Sequence, residues 1–166
     1  NFLGSFTENF ESYVANQSNF PNYFNKPFVG TKVWNIKTTA SKYLEMSSFV
    51  TPNEDNKTMF FVPVDMTAAN TMTFKYKVSF PVTGHAPLKV YYTTNYTPGQ
   101  DIRNAAIVDI TSSFNIGTSQ TFVNAGTFTI PANVTGNGFF IFEYTGSGLT
   151  NPRLTTNFGI DDIVVN

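Results

Sequence analysis

The sequence predicts an all-β fold, a two-sheet antiparallel sandwich of the jelly-roll type, and three observations predict it. Met72–Phe80 alternates strictly: Met72, Phe74, Tyr76, Val78 and Phe80 share one face, and Thr73, Lys75, Lys77 and Ser79 the other. No helical period runs longer than two turns, and there is no internal repeat. The chain carries 18 Phe and 8 Tyr against a charged fraction of 13%. That load suits sheets stacked face to face, because each fully buried Phe contributes roughly 1.5–3 kcal/mol before entropy is counted.

The elements follow in order. Ser5–Tyr13 reads as a short strand or turn, with Phe6, Phe10 and Tyr13 apolar among Glu8, Glu11 and Ser12. Asn16–Pro27 reads as an irregular loop punctuated by Asn and Pro. Lys32–Lys37 is a short strand with Val33 opposite Trp34, and Ser41–Phe49 a clearer one, Tyr43, Glu45 and Ser47 alternating with Leu44, Met46 and Ser48. Thr51–Lys57 is a turn-forming loop. Thr58–Val64 is a strand in which Pro63 argues for an edge or a bulge. Leu88–Thr94 turns Leu88, Val90 and Tyr92 inward, Tyr96–Asn104 is a long polar loop, and Ala105–Ile110 and Gly126–Ile130 are further strands. Phe139–Thr145 is apolar on both faces, so a central strand covered on both sides is expected. Eight to ten strands with long loops make the sandwich.

The closing strand, Asn157–Val165, contains a conflict. With Phe158, Ile160 and Val164 inward, Asp162 joins them; with Ile163 and Val165 inward, Asp161 does. A bulge between the two aspartates relieves the conflict but leaves a carboxylate close to the core edge. A carboxylate buried there must be paired, protonated or metal-bound. The plainer alternative is two solvated aspartates at a frayed strand end.

At 166 residues the chain is read as one domain, 1–166, able to bury a substantial core. A net charge of −1 with no basic tract argues against nucleic acid as a partner and against an anionic membrane. Cysteine is absent, which excludes thiol catalysis, thiolate metal sites and disulfides. No apolar run approaches the roughly 20 residues that span a bilayer, so no membrane insertion is expected. The chain opens on Asn1 without a signal-like segment, which reads as a processed or trimmed chain. The Asn-, Thr-, Ser- and Gly-rich composition looks like that of an extracellular β-module.

Enzymatic constellations are thin. His85 is the single histidine and sits in a Gly-His-Ala-Pro turn, so a triad or transition-metal site lacks parts. No glycine-rich phosphate loop is present. Glu45 and Glu143 would make a glycosidase pair only if brought together, and mid-strand glutamates more often face solvent. A hard-cation site has better support. Calcium takes six to eight oxygen ligands, and Glu8, Asn9 and Glu11 near one end could meet Asp161 and Asp162 near the other, since domain termini often lie close together.

Five stretches carry a resemblance: Glu-Asn-Phe-Glu at 8–11, Met-Phe-Phe-Val-Pro-Val-Asp-Met at 59–66, Leu-Lys-Val-Tyr-Tyr-Thr-Thr-Asn-Tyr at 88–96, Phe-Ile-Phe-Glu-Tyr-Thr-Gly-Ser-Gly at 140–148 and Gly-Ile-Asp-Asp-Ile-Val-Val at 159–165. In this order they resemble the choice-of-anchor J and cleaved-adhesin group of bacterial surface modules, common in Bacteroidetes and more distantly similar to MAM domains and carbohydrate-binding jelly rolls. The resemblance implies a galactose-binding-like jelly roll on an exported or outer-membrane-anchored protein, a lipoprotein for example. It also implies a structural calcium held by Glu11 and Asp161, and we expect Asp162, Glu8 or backbone carbonyls to complete the shell. Two departures stand out. Met59–Pro63 lacks the Trp usual in its strand, and Asn157–Phe158 replaces the Trp often found before the closing Ile-Asp-Asp.

The functional expectation is a non-catalytic, monomeric, secreted or cell-surface binding module for a glycan or a cell-surface protein. The alternative is a structural spacer without its own ligand. Aromatics beside amides and charged groups in loops suit sugar recognition, so Tyr96, Asp101, Arg103 and Asn104 are the candidate ligand residues, with Tyr91 and Trp34 if their faces are exposed.

Overall fold

A computed structural model describes residues 1–166. Eleven strands form two antiparallel sheets around one aromatic core. They are β1 (Phe6–Glu8), β2 (Phe24–Val29), β3 (Asn35–Lys37), β4 (Tyr43–Met46), β5 (Asp55–Asp65), β6 (Thr71–Ser79), β7 (Leu88–Thr93), β8 (Val108–Asp109), β9 (Val123–Thr129), β10 (Asn137–Ser147) and β11 (Asn157–Val165). One sheet runs β3-β4-β11-β6-β9, with β1 also on β11; the other runs β2-β5-β10-β7-β8. The jelly-roll sandwich expected from alternation is the fold observed.

The core is built from the inward residues of both sheets. Phe74 of β6 meets Phe142 of β10 edge-on at 5.1 Å, and Tyr76 stacks on Phe158 of β11 at 5.7 Å. Trp34 is fully buried against Tyr144 at 6.3 Å, its Nε1–H donating to the Thr58 carbonyl. The buried Tyr144 hydroxyl donates to the Thr156 carbonyl at 2.6 Å and accepts from Ser48 N–H, so its polar end is satisfied.

The conflict in β11 is resolved by the expected bulge. Pairing with β6 runs from Asp161↔Lys75 to Val164↔Thr73, three residues against two. Phe158 and Ile160 therefore face inward before the bulge, and Ile163 and Val165 after it, all fully or almost fully buried. Asp162 takes a φ of 46°, and Asp161 is left 8% exposed on the outer face. Just before it, Gly159 lies beneath the Tyr43 ring, where a Cβ would come within 3.1 Å of two ring carbons.

Some expectations are corrected. Residues 24–27 are part of β2, not loop; as the sheet's outermost strand, β2 accommodates the missing N–H of Pro27. Asp55–Lys57 belongs to β5, not to the preceding turn. Pro63 lies in a strand flanked by β2 and β10, but β2 pairs only as far as Phe61. Asp65 N–H, two residues on, donates to the Leu3 carbonyl, so Pro63 lacks its donor where no full strand runs alongside. Phe80, expected inward, lies beyond the end of β6 with a φ of 49° and is 79% exposed. Of Ala105–Ile110 only Val108–Asp109 pairs, and β9 starts earlier than expected, at Val123.

Truncating Phe142 to Ala removes a fully buried ring from the interface of the two sheets. The expected loss is roughly 3–5 kcal/mol, read from the midpoint of urea denaturation at constant m.

Candidate binding cleft

β10 lies at the centre of the five-stranded sheet and buries both faces. Phe140, Phe142 and Tyr144 point into the sandwich, so Phe139, Ile141 and Glu143 point outward. An outward row of this kind needs a cover. The cover is the chain between β7 and β8, helped by Phe2 and Phe24, whose rings meet Phe139 at 5.4 and 6.0 Å. Tyr96 stacks on Phe61 at 5.0 Å and meets Phe139 edge-on, and Ile102 joins the same cluster. At the loop's base, Asn95 Oδ1 accepts the Ala106 N–H at 2.8 Å. The loop is therefore bolted down by its own side chains.

A cleft of about 1000 Å³ opens where this cover stops. Its floor is Met59 of β5, Tyr91 of β7 and Glu143 of β10, one wall is the 99–105 segment, and the opposite side carries Lys57 and the exposed apolar residues Phe28 and Val29. The volume is at the upper end of the roughly 300–1,000 Å³ typical of sites that hold a drug-sized ligand.

The charges differ in character between rim and floor. On the rim, Asp101 and Arg103 neutralise each other: the Asp101 carboxylate accepts the Arg103 backbone N–H at 3.0 Å and a two-pronged guanidinium contact. Hydrogen bonds from Arg103 hold the Asp101 pKa down to about 2. On the floor, Glu143 is only 3% exposed, and burial raises its pKa against the opposing pull of Lys57 and Lys89. The Tyr91 hydroxyl donates to Glu143 Oε1 at 3.4 Å. Burial, then the charge of Glu143, pushes the Tyr91 phenol up to about 12.

Of the residues singled out in the sequence, Tyr91, Asp101 and Arg103 line this cleft. Tyr96 is 7% exposed and anchors the loop from beneath, not a surface for a ligand. Trp34 is a core residue, and Asn104 is exposed outside the cleft. Sequence reasoning missed Met59, Lys57 and Glu143. The signal for Glu143 was its parity: it shares the outward row of Phe139 and Ile141, so a charge stands among covered apolar positions. Glu45 lies on the other sheet's outer face, 3.9 Å from Lys37, so it forms no pair with Glu143. His85 is a turn residue, with Nε2 2.8 Å from the Thr145 carbonyl and Nδ1 2.9 Å from Thr156 Oγ1.

The two termini pair, and the Glu11 charge is felt at Asp161. β1 pairs with β11 through Glu8↔Ile163, and the chain running on from Glu8 brings Glu11 beside Asp161. Burial, with the Asp162 and Glu11 charges adding to it, raises the Asp161 pKa to about 6. Asp161 Oδ1 accepts only the Asp162 N–H, and Glu11 Oε2 accepts the Lys42 N–H. Both carboxylates keep lone pairs free, as a hard cation requires. Glu8 is otherwise engaged, by Phe10 N–H and by the Tyr13 and Tyr23 hydroxyls, and the Asp162 carboxylate lies 3.4 Å from Lys75 Nζ. No three acidic or histidine side chains converge as a ready-made ligand set, so Glu11 and Asp161 fit a cation only with backbone carbonyls or water completing the shell.

No family model matches the chain, and no curated protein matches it. Solved structures share its fold. The K2 cleaved adhesin domain of Lys-gingipain superposes with a TM-score of 0.58 at 16% identity, covering 98% of this chain and 97% of that one. The K3 domain, from Porphyromonas gingivalis, gives 0.57 at 15%, with 97% and 98% covered. A carbohydrate-binding module, TmCBM61, solved with beta-1,4-galactotriose, gives 0.56 at 12%, with 96% and 94% covered.

The buried carboxylate of Glu143 makes a stability prediction. Its folded-state pKa is raised, so its favourable contribution is full below the unfolded value and is lost as pH rises through the folded one. Glu143→Gln should remove that loss. Its Tm at pH 7 should exceed the wild type's, by roughly 2–4 °C for each kcal/mol recovered, and the difference should vanish in acid.

Proposed function

We propose that the chain is a non-catalytic glycan-binding module that works at the cell surface or outside the cell, with the cleft over Glu143 as its binding site. The observation that carries the reading is a cleft of about 1000 Å³ of mixed apolar and polar lining, with a buried carboxylate at its base and a loop anchored by Tyr96 and Ile102 at its side. Apolar side chains suit the C–H faces of sugar rings, and the few convergent polar groups suit their hydroxyls. A rigid wall reduces the ordering cost of binding. Structures with this fold include one solved with galactotriose and others that are adhesin domains, which supports glycan binding and surface adhesion as the setting.

Calcium is proposed at the junction of the termini, held by the Glu11 and Asp161 side chains. There it would stitch β1's extension to the bulge of β11 and neutralise the buried Asp161. Such an ion is structural, since it sits by the six-stranded sheet, away from the cleft.

A glycan array probed with the purified chain tests the first part. Neutral oligosaccharides should bind, and Tyr91→Ala should weaken them at least tenfold while the far-UV spectrum stays that of a β-protein. A blank array, or signals indifferent to Tyr91→Ala, would contradict the reading. Thermal melts of metal-stripped protein test the second. Calcium at a hundredfold excess over Kd adds about 2.7 kcal/mol, roughly 5–10 °C in Tm for a chain of this size. Asp161→Asn should lose that response. In chelator at pH 7 it should melt no lower than the wild type, because the ionised form of a carboxyl with a raised pKa is the costly one. Equal wild-type melts with and without calcium would sink the site.

A further inference from the structure

We infer that the cleft selects uncharged oligosaccharides, and that it does so by presenting Glu143 as the acceptor for two neighbouring sugar hydroxyls. This rests on the glycan reading above and deepens it.

The argument starts from how little the carboxylate is given by its own chain. Two carboxylate oxygens offer about four acceptor sites. The Tyr91 hydroxyl reaches Oε1 at 3.4 Å, long for a bond to an ionised oxygen, which would ordinarily close to about 2.5–2.7 Å. The Thr145 hydroxyl, on the same face of β10, also pulls the carboxyl's pKa down as a donor. Two hydroxyl donors leave acceptor sites on a carboxylate 3% exposed at the base of a cleft, open to donors from whatever enters. Compare Glu54, also among loop residues, whose oxygens take Thr31 N–H, Thr31 Oγ1, Lys32 N–H and Asn56 Nδ2. Glu8 is likewise filled by three donors. Of these three Glu143 has the fewest donors, and it is the one that lines the large cleft.

The surrounding charges decide what kind of donor it takes. The groups around Glu143 are Lys57 from β5, Lys89 and Tyr91 from β7 with Asp109 of β8 beside them, Thr145 on its own strand, and the Asp101–Arg103 pair from the loop wall. Lys57 balances Glu143, Lys89 is shared between Glu143 and Asp109, and Asp101 and Arg103 compensate each other. A cation entering the cleft would meet Lys57 with no unbalanced anion to receive it. An anion would meet Glu143. The site has unmet hydrogen-bonding capacity but no unmet charge, and that combination fits a polyhydroxylated neutral chain. Adjacent sugar hydroxyls can donate in parallel to the two oxygens of one carboxylate, which an isolated alcohol cannot do. Met59, Ile102 and Phe28 then lie against ring C–H faces.

Isothermal titration of the folded chain tests this with three β-1,4-linked probes: neutral mannohexaose, an oligomannuronate and a chitosan oligomer. The expected result is binding of the neutral probe, at least tenfold weaker binding of the two charged ones, and at least tenfold loss of the neutral probe in Glu143→Gln. That variant's thermal melt verifies that it is folded. Lys57→Ala separates charge from shape, since it should weaken the neutral probe and relax the rejection of chitosan. If the neutral probe binds, Tyr91→Ala abolishes it, and Glu143→Gln binds as the wild type does, the cleft is the site and the inference about Glu143 is overturned. Tight binding of either charged probe overturns it as well. If none of the three probes binds, or Tyr91→Ala leaves binding intact, the glycan reading of the cleft falls and takes the inference with it.

Discussion

The two-sided burial of β10 is the constraint on which the rest depends. A strand with Phe140, Phe142 and Tyr144 on one face and Phe139 and Ile141 on the other leaves no face for water. The inner face is met by the second sheet, through contacts such as Phe74 on Phe142. The outer face has no third sheet to meet it, so a loop is recruited, and its anchors Tyr96 and Ile102 are apolar for that reason. The cleft is the step at the edge of this cover, and Glu143 stands on the step. Hydrophobic burial thus fixes where a polar site can exist, before any ligand is considered.

The same logic runs on the opposite sheet with a different outcome. β11 is central there, and its parity break forces a bulge that leaves Asp161 buried on the outer face. At one site an acid is kept beside lysines and an open cleft; at the other it is kept beside a second carboxylate, Glu11. The first arrangement invites hydroxyl donors and the second a hard cation. Both sheets carry buried carboxylates that burial makes costly to ionise, Glu143 on one and Glu45 and Asp161 on the other, as functional positions commonly do.

Much of this was legible in the sequence, and the reasons are specific. Strict alternation gave β6, double-faced apolar composition gave β10 its central place, and the clash of parities in β11 gave the bulge between Asp161 and Asp162. What misled was local residue chemistry read without tertiary context. Asn25 and Pro27 look like loop punctuation, yet an edge strand tolerates them. Tyr96 in a polar loop looks like a ligand platform, but the sheet beneath supplies Phe61 and Phe139 for it to cover. Glu143 looked like a solvated strand residue because alternation assigns it to the outer face, and the sequence does not say that a loop arrives to wall that face in. The partners of a carboxylate are long-range facts: Lys57 and Lys89 reach Glu143 only through the register of β5 and β7 on β10.

The central claim is that the covered outer face of the five-stranded sheet ends in a binding cleft over Glu143. Amide shift mapping with the neutral oligosaccharide that binds best tests it most directly, because it locates the ligand without assuming a residue. The account predicts perturbations at 57–59, 91, 99–105 and 143, with the outer face of the six-stranded sheet around Tyr43, Glu45 and Asp161 silent. Perturbations centred on that second face, with Tyr91 and Glu143 unmoved, would contradict it.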